Sequence, residues 1–296
     1  MSEKKPRFSI VVPCYNEARY IGRTLESLQA QTFDGPVEII VVDNNCSDET
    51  VAIAKSYGVK VVTEPRPSVC WARQAGTAAA RGEIVISTDA DTIFSPDWLK
   101  VIDRKFKSDD YVAVTGPCAY SDGPWWGYMY PKILFGAVSL LASVIGHPFY
   151  VTATNIAFRK SAWEAYNTTL TQGGDELELL HDLKKKGKVV FVNSNPVFTS
   201  GRRLRKGLIY CLFMTFFIHY FLAYKINKWT GRTVIGRQPA GGTLPLANRW
   251  TPAYRTAFGA AALACIAFVH LPGRDTLLEQ SFETIGSIIR LIRGLA

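Results

Sequence analysis

No two of the six cysteines stand in a C-x-x-C arrangement, and Cys211 and Cys265 lie inside apolar runs. That spacing excludes a disulfide framework or a cysteine-built zinc site and fits buried free thiols in a reducing compartment. Histidine is equally sparse: His147 and His181, the two within the first 200 residues, have no partner at ligand spacing. Met1 to Arg7 is short and charged, so the sequence offers no signal segment before its first apolar run. Acidic residues are also the minority, 25 against 34 Lys and Arg, for a net charge of +9. A basic chain suggests nucleic acid, but no recognition-helix, RNA-binding or zinc-finger pattern is present. The basic residues concentrate beside apolar segments, which makes a membrane surface the expected partner and nucleic acid an excluded one.

What the sequence does contain is a repeated strand-helix alternation. Phe8 to Pro13 is a buried-type run that gives way to a polar turn and a helical pattern from about Glu17. Val37 to Val42 is β-branched and closes on Asp43-Asn44-Asn45, after which Ser47 or Asp48 can cap a helix through about Tyr57. Val59 to Thr63 precedes a helical stretch from about Ser68 to Arg81, and Gly82 stops it before the run Glu83 to Thr88. The alternation predicts an α/β fold, a mostly parallel sheet flanked by helices, with a ligand crevice at the carboxyl ends of the strands. Pro13, Asp43 and Asp89 fall at that edge. Asp89-Ala90-Asp91 is the most telling feature there. Two acids delivered by one strand make an oxygen-only site for a hard divalent cation, Mn²⁺ or Mg²⁺, with positions left for phosphate oxygens.

Four ordered segments then carry a resemblance: Val11 to Glu17, Val42 to Thr50, Ala72-Arg73-Gln74-Ala75-Gly76 and Thr88-Asp89-Ala90-Asp91. Together they resemble the successive signatures of family 2 glycosyltransferases with the GT-A (Rossmann-like) fold, over roughly residues 8 to 200. The resemblance implies a metal-dependent, inverting transfer of a sugar from a nucleoside-diphosphate sugar to a lipid-carrier or glycan acceptor. It implies Asp91 as first metal ligand and Asp89 as a ribose contact or second ligand. Asp43 would contact the nucleoside, with Pro13, Tyr15 and Glu17 as the pocket wall. Arg73 is either a nucleotide contact or an exposed helical arginine, with Gln74 standing where the family usually has Asn. Arg202 and Arg203 would either close over the diphosphate or mark a membrane edge. Asn155, in Ala153 to Arg159, matches the strand beside the acceptor site. In Gly173-Gly174-Asp175-Glu176 the family's usual Glu-Asp order is inverted. The general base is therefore Asp175 by chemical identity or Glu176 by spacing. A helix cap accounts for Asp48.

The catalytic domain is expected over residues 1–205 and a membrane-associated helical region over 206–296. Gly207 to Tyr224 carries no Asp, Glu, Lys or Arg and approaches the ~20 residues a bilayer span needs. Thr256 to Leu271 is a shorter candidate. Lys225, Lys228, Arg232, Arg237, Arg249 and Arg255 lie between them with no acid among them, which opposes a simple two-span hairpin. Segments lying along one leaflet fit better, as does the helical spacing of Leu277, Leu278, Phe282, Ile285, Ile289 and Ile292. These features place the protein at a membrane with its catalytic domain facing the cytoplasm. A further apolar stretch, Ile133 to Ile145, follows an aromatic cluster at Trp125 to Tyr130. Too short to span, it reads as a buried core helix or as an interfacial one.

Three competing functions are set apart by sequence. A sugar nucleotidyltransferase would need a Gly-rich phosphate loop where Pro13-Cys14-Tyr15-Asn16-Glu17 stands, and a processive synthase a Gln-x-x-Arg-Trp motif that is absent. A catalytically degenerate nucleotide-sugar and membrane binder is the remaining alternative, raised by the inverted Asp175-Glu176 and by Gln74.

Overall fold

The computed structural model describes residues 5–168, 175–207 and 211. All of them belong to the first of two units into which the chain divides, Met1–Ala240 and Gly241–Ala296. Gly173 and Gly174, the apolar segments 208–224 (Cys211 apart) and 256–271, and the amphipathic stretch 277–292 lie outside the described residues.

The four expected strands form: β1 (Phe8–Cys14), β2 (Val37–Asp43), β3 (Lys60–Thr63) and β4 (Ile84–Ser87). They are joined by α1 (Ile21–Gln29), α2 (Thr50–Ser56) and α3 (Val69–Ala79). β1 pairs in parallel with β2 on one side and β4 on the other, and β3 extends the sheet beyond β2. Buried on both faces, β1 sends Ile10 and Val12 into one core cluster and Val11 into the other, the period-2 alternation of a central strand. Beyond β4 the chain adds β5 (Thr92–Ile93), α4 (Trp98–Phe106), β6 (Tyr111–Thr115), β7 (Cys118–Tyr120) and α5 (Trp125–Ile145). β8 (Ile156–Arg159), α6 (Asp175–Lys186), β9 (Lys188–Phe191) and β10 (Val197–Thr199) complete it. The main sheet runs β3-β2-β1-β4-β8-β6-β9, with β8 antiparallel to both neighbours. A small sheet, β5-β10-β7, joins three segments that all follow Asp89-Ala90-Asp91 in the chain.

Local chemistry moves two helix starts. Residues 17–20 form a turn, with Ile21 N–H donating to the Glu17 carbonyl at 2.9 Å, so α1 begins four residues later than the pattern predicts. α2 in turn has Glu49 at its N-cap, without a side-chain cap bond, in place of the expected Ser47 or Asp48; Asp48 accepts from Thr50 N–H at 3.0 Å, and its other oxygen from Ala18 N–H at 3.1 Å. Ser68 caps α3 by accepting from Cys70 N–H.

The stretch Ile133 to Ile145 differs from expectation in length and in exposure. The helix is continuous from Trp125 through Pro131 to Ile145, 21 residues, long and apolar enough to cross a bilayer by length and composition. Nor is it a core helix, since only Gly127, Pro131, Phe135 and Val138 are buried.

α3 lies against β1 and β2 at Gly76, where an added Cβ would clash with Val11 Cγ1 and stand 2.8 Å from Val42 Cγ2. Gly76→Ala is therefore expected to destabilise the domain by about 1–3 kcal/mol despite alanine's better helix propensity, read as a lowered midpoint in chemical denaturation.

Candidate active site

A cleft of about 330 Å³ opens at the carboxyl edge of β1 and β4, where the strand order reverses. Its lining includes Pro13, Tyr15, Glu17, Arg73, Asp89, Asp91, Asp175, Glu176, Arg202 and Arg203, which the sequence scatters over almost 200 positions.

Two turns build one side. Asn16, in the left-handed region at φ 55°, accepts from Ser47 N–H at 2.7 Å, and Glu17 N–H donates to Thr50 Oγ1 at 2.8 Å. The turn after β1 is thus stitched to the turn after β2. Asp43 shapes that second turn by accepting from Cys46 N–H at 2.9 Å, and the cleft-lining residue beside it is Asn44. Asn44 is fixed by donating to the Glu64 and Arg66 carbonyls, both at 2.8 Å.

Arg73 occupies the floor. It is buried, contrary to the reading of an exposed helical arginine, and donates to Asp175 Oδ2 at 2.5 Å and to Asp89 Oδ1 at 3.0 Å. Its neighbour Gln74 accepts from Tyr166 N–H at 2.8 Å and does not line the cleft. Burial pushes the Asp175 carboxyl up, but the Arg73 charge together with the hydrogen bonds from Glu176 and Arg73 outweighs it and holds the group below its ordinary value. Glu176 goes the other way: burial, then the adjoining Asp175 charge with which it shares a hydrogen bond, raise it well above the usual carboxylate range. The two neighbouring acids are thereby pushed in opposite directions.

On the other side Arg202 makes a bidentate pair with Glu17, 2.6 Å to each oxygen, and lies 3.3 Å from Asp91 Oδ2. Thr199 Oγ1 donates to Asp91 Oδ1 at 3.0 Å. The Asp91 carboxyl is nevertheless raised from 3.8 to about 6, by burial first and the Asp89 charge second. Thr199, Asn44 and the apolar wall of Tyr130, Pro131, Leu134 and Phe135 from α5 are cleft residues that motif reading missed. Asn44 stands inside a signature segment beside the residue chosen there, Asp43; the others arrive from elements without chemical signatures.

Asn155 requires correction. It is 2% exposed and saturated inside the domain: its Oδ1 accepts from Trp98 Nε1 at 3.1 Å, and its Nδ2 donates to the carbonyls of Pro117 (3.0 Å) and Asn195 (2.9 Å). It ties α4 to the segments around Pro117 and Asn195 and does not line the cleft; Thr152, Ala153 and Thr154 line it in its place.

A doubly wound sheet with paired acids after β4 and ion-paired arginines around them defines an α/β nucleotide-binding domain of the GT-A type. The family model for Glycosyl transferase family 2 matches residues 9–166, and the chain belongs to that family. An uncharacterized glycosyltransferase of Mycobacterium tuberculosis is 36% identical over 121 residues, 40% of this chain and 52% of that protein. An uncharacterized glycosyltransferase of Nostoc sp. is 31% identical over 123 residues, 40% of this chain and 38% of that protein. The chain thus matches about half the length of these relatives, or less. Among solved structures, the first 349 residues of S. aureus TarS superpose with a TM-score of 0.55 at 22% identity, covering 66% of this chain and 60% of that one, which supports the fold.

The Asp91 shift has a sign that can be checked. A carboxyl whose folded value exceeds its unfolded one binds extra proton in the native state, so its contribution to stability falls as pH rises from about 4 to about 6. Metal-free protein is expected to lose up to about 3 kcal/mol across that window on this account. Asp91→Asn should flatten the slope in denaturant titrations at stepped pH. Asn155→Ala, by contrast, is expected to cost about 2–4 kcal/mol at every pH by orphaning buried partners.

Proposed function

We propose that this protein transfers a sugar, with inversion, from a nucleoside-diphosphate sugar to a lipid-carrier or glycan acceptor at the cytoplasmic face of a membrane, aided by a divalent metal. The observation that carries the reading is Arg73, which joins Asp89 of the donor half to Asp175 of the acceptor half within a single cleft. S. aureus TarS, which shares the fold, has been solved with UDP-GlcNAc, and a donor of that class is in keeping with the cleft. Basic residues on both flanks of the apolar C-terminal segment, and cysteines without disulfides among the described residues, support the membrane face.

The donor set suits a hard cation. Asp91 carries a buried, poorly balanced carboxyl with Asp89 beside it, and no group of three metal-ligating side chains gathers among the described residues. Asp91 and Asp89 would hold Mn²⁺ or Mg²⁺, leaving other positions to phosphate and water. When bound, the cation supplies neutralisation of charge on the departing diphosphate.

The remaining work falls to side chains. Pro13, Tyr15 and Glu17 wall the nucleotide, and Arg202 and Arg203 offer guanidinium contacts to the diphosphate. Arg73 is a positioning residue, holding Asp89 and Asp175 at fixed separation. Glu176 takes the proton from the acceptor hydroxyl as its oxygen forms the bond to the anomeric carbon and the bond to the diphosphate breaks. Its raised value makes it a stronger base than an ordinary carboxylate once ionised. Asp175, tied to Arg73, stays ionised and acts through Glu176 and Arg73.

A thermal-shift panel of UDP-, GDP- and dTDP-sugars with and without Mn²⁺ tests the donor half. One nucleotide is expected to stabilise the protein in a metal-dependent way, and Asp91→Ala to abolish the metal dependence; an equal shift in that variant removes Asp91 as ligand. For the acceptor half, Glu176→Gln is expected to lower transfer at least ~10²-fold with donor binding retained. Asp175→Asn removes a charge that raises Glu176, so the acid limb of its pH-rate profile should move to lower pH. Loss of turnover at every pH in Asp175→Asn, with Glu176→Gln active, would make Asp175 the base. Full turnover in both variants would leave neither acid as base.

A further inference from the structure

α5 has two faces of different use. Its inner stripe packs on the domain: Phe135 lies 6.1 Å from both the Tyr150 and Phe191 rings, and Gly127 lies against Leu204. Tyr130, Pro131 and Leu134 on the same element line the cleft that holds Asp89 and Glu176. The outer face is apolar and open, with Trp125 79%, Ile133 68%, Leu140 67% and Val144 76% exposed. After Val138 no residue of the helix is buried, and Leu140, Leu141, Val144 and Ile145 protrude until Gly146, at φ 81°, turns the chain back toward Phe149, itself exposed. Lys132 is the sole charged residue in the helix.

Two further observations say what covers that face. The first is charge. The N-terminal end of α5 is rimmed by the segment carrying Arg203, Arg205 and Lys206, tied to the loop before the helix by Asp122, which accepts from Gly201 N–H at 2.8 Å and pairs with Arg205 at 2.9 Å. The second is continuity. Gly207, directly after that segment, opens the 18-residue stretch through Tyr224 that holds no Asp, Glu, Lys or Arg. Two long apolar sequences thus begin beside one another, behind the same basic rim.

We propose that α5 docks by its outer face into the anionic leaflet of a lipid bilayer, so that the cleft opens at the membrane surface. The helix does not cross. At about 1.5 Å per residue it has the length, but its inner stripe is bound to the domain through Phe135 and β9, and lipid cannot surround it. It lies along the leaflet with its C-terminal turns deepest, basic rim at the headgroups and apolar surface in the acyl region. The docking stands on α5 itself; that it serves acceptor delivery rests on the proposed function. A membrane-seated wall that also lines the cleft favours the lipid-linked acceptor over a soluble glycan.

The test uses the full chain with the fluorophore NBD at Leu140→Cys or Val144→Cys, and Ser56→Cys on exposed α2 as control, the unsubstituted chain serving as labelling blank. With vesicles of equal parts phosphatidylethanolamine and phosphatidylglycerol, emission at 140 and 144 should shift to the blue and be quenched by doxyl lipid, and at 56 do neither. Phosphatidylcholine vesicles should give a smaller response. A blue-shifted emission before any vesicle is added would mean that other residues of this chain cover α5, and would overturn the proposal. So would vesicle binding without a change at 140 and 144, or no binding at all. The nucleotide-dependent thermal shift is measured on the same samples: its loss with the NBD response intact sinks the donor reading and leaves the docking standing. Its retention with no NBD response does the reverse.

Discussion

A buried guanidinium organises this domain. Arg73 is removed from water, a placement that costs several kcal/mol unless the charge is paired and hydrogen-bonded, and its partners are Asp89 and Asp175. These residues come from α3, from the end of β4 and from the first turn of α6, so one charge fixes three elements that are far apart in sequence. It also sets the neighbouring acids against each other. With Arg73 satisfying Asp175, the adjacent Glu176 faces a negative neighbour in a dry setting and is raised well above the ordinary carboxylate range. An Asp-Glu pair at a helix start would otherwise be two ordinary solvated acids serving the helix dipole.

The second charged cluster is built differently. Arg202 spans Glu17 and Asp91 and stacks over Tyr20 at 4.9 Å, half exposed at the mouth of the cleft rather than sealed in its floor. The floor is therefore rigid, and the mouth holds charges whose partners a phosphate or cation can replace. Such a division suits a site in which acceptor chemistry needs fixed geometry and a charged donor must enter and leave.

How much of this was legible in the sequence depends on range. β1 to β4 and their helices follow from β-branched runs, Gly and Ser punctuation and period, all local properties, and they form where expected apart from the shifted starts of α1 and α2. The cleft acids were visible because Asp89 and Asp91 end a strand and the parallel topology sends strand ends to one edge. Asn155 misled because a residue at the head of a cleft-side strand is indistinguishable by pattern from its neighbours. Alternation turned its amide inward to Trp98 and Asn195, and left Thr154 at the cleft. Ile133 to Ile145 was read too short, since Pro131 and Lys132 break the apolar run without breaking the helix.

The sequence by itself determined the class of fold, the edge at which the site lies and the family, because each rests on strand periodicity and on motifs a few residues long. Only the tertiary structure decided that Arg73 is a buried bridge, that Asp175 and Glu176 are pushed in opposite directions, and that the outer face of α5 is exposed among the described residues. Burial and pairing are properties of residues brought together from distant positions, and no local pattern of side chains encodes them.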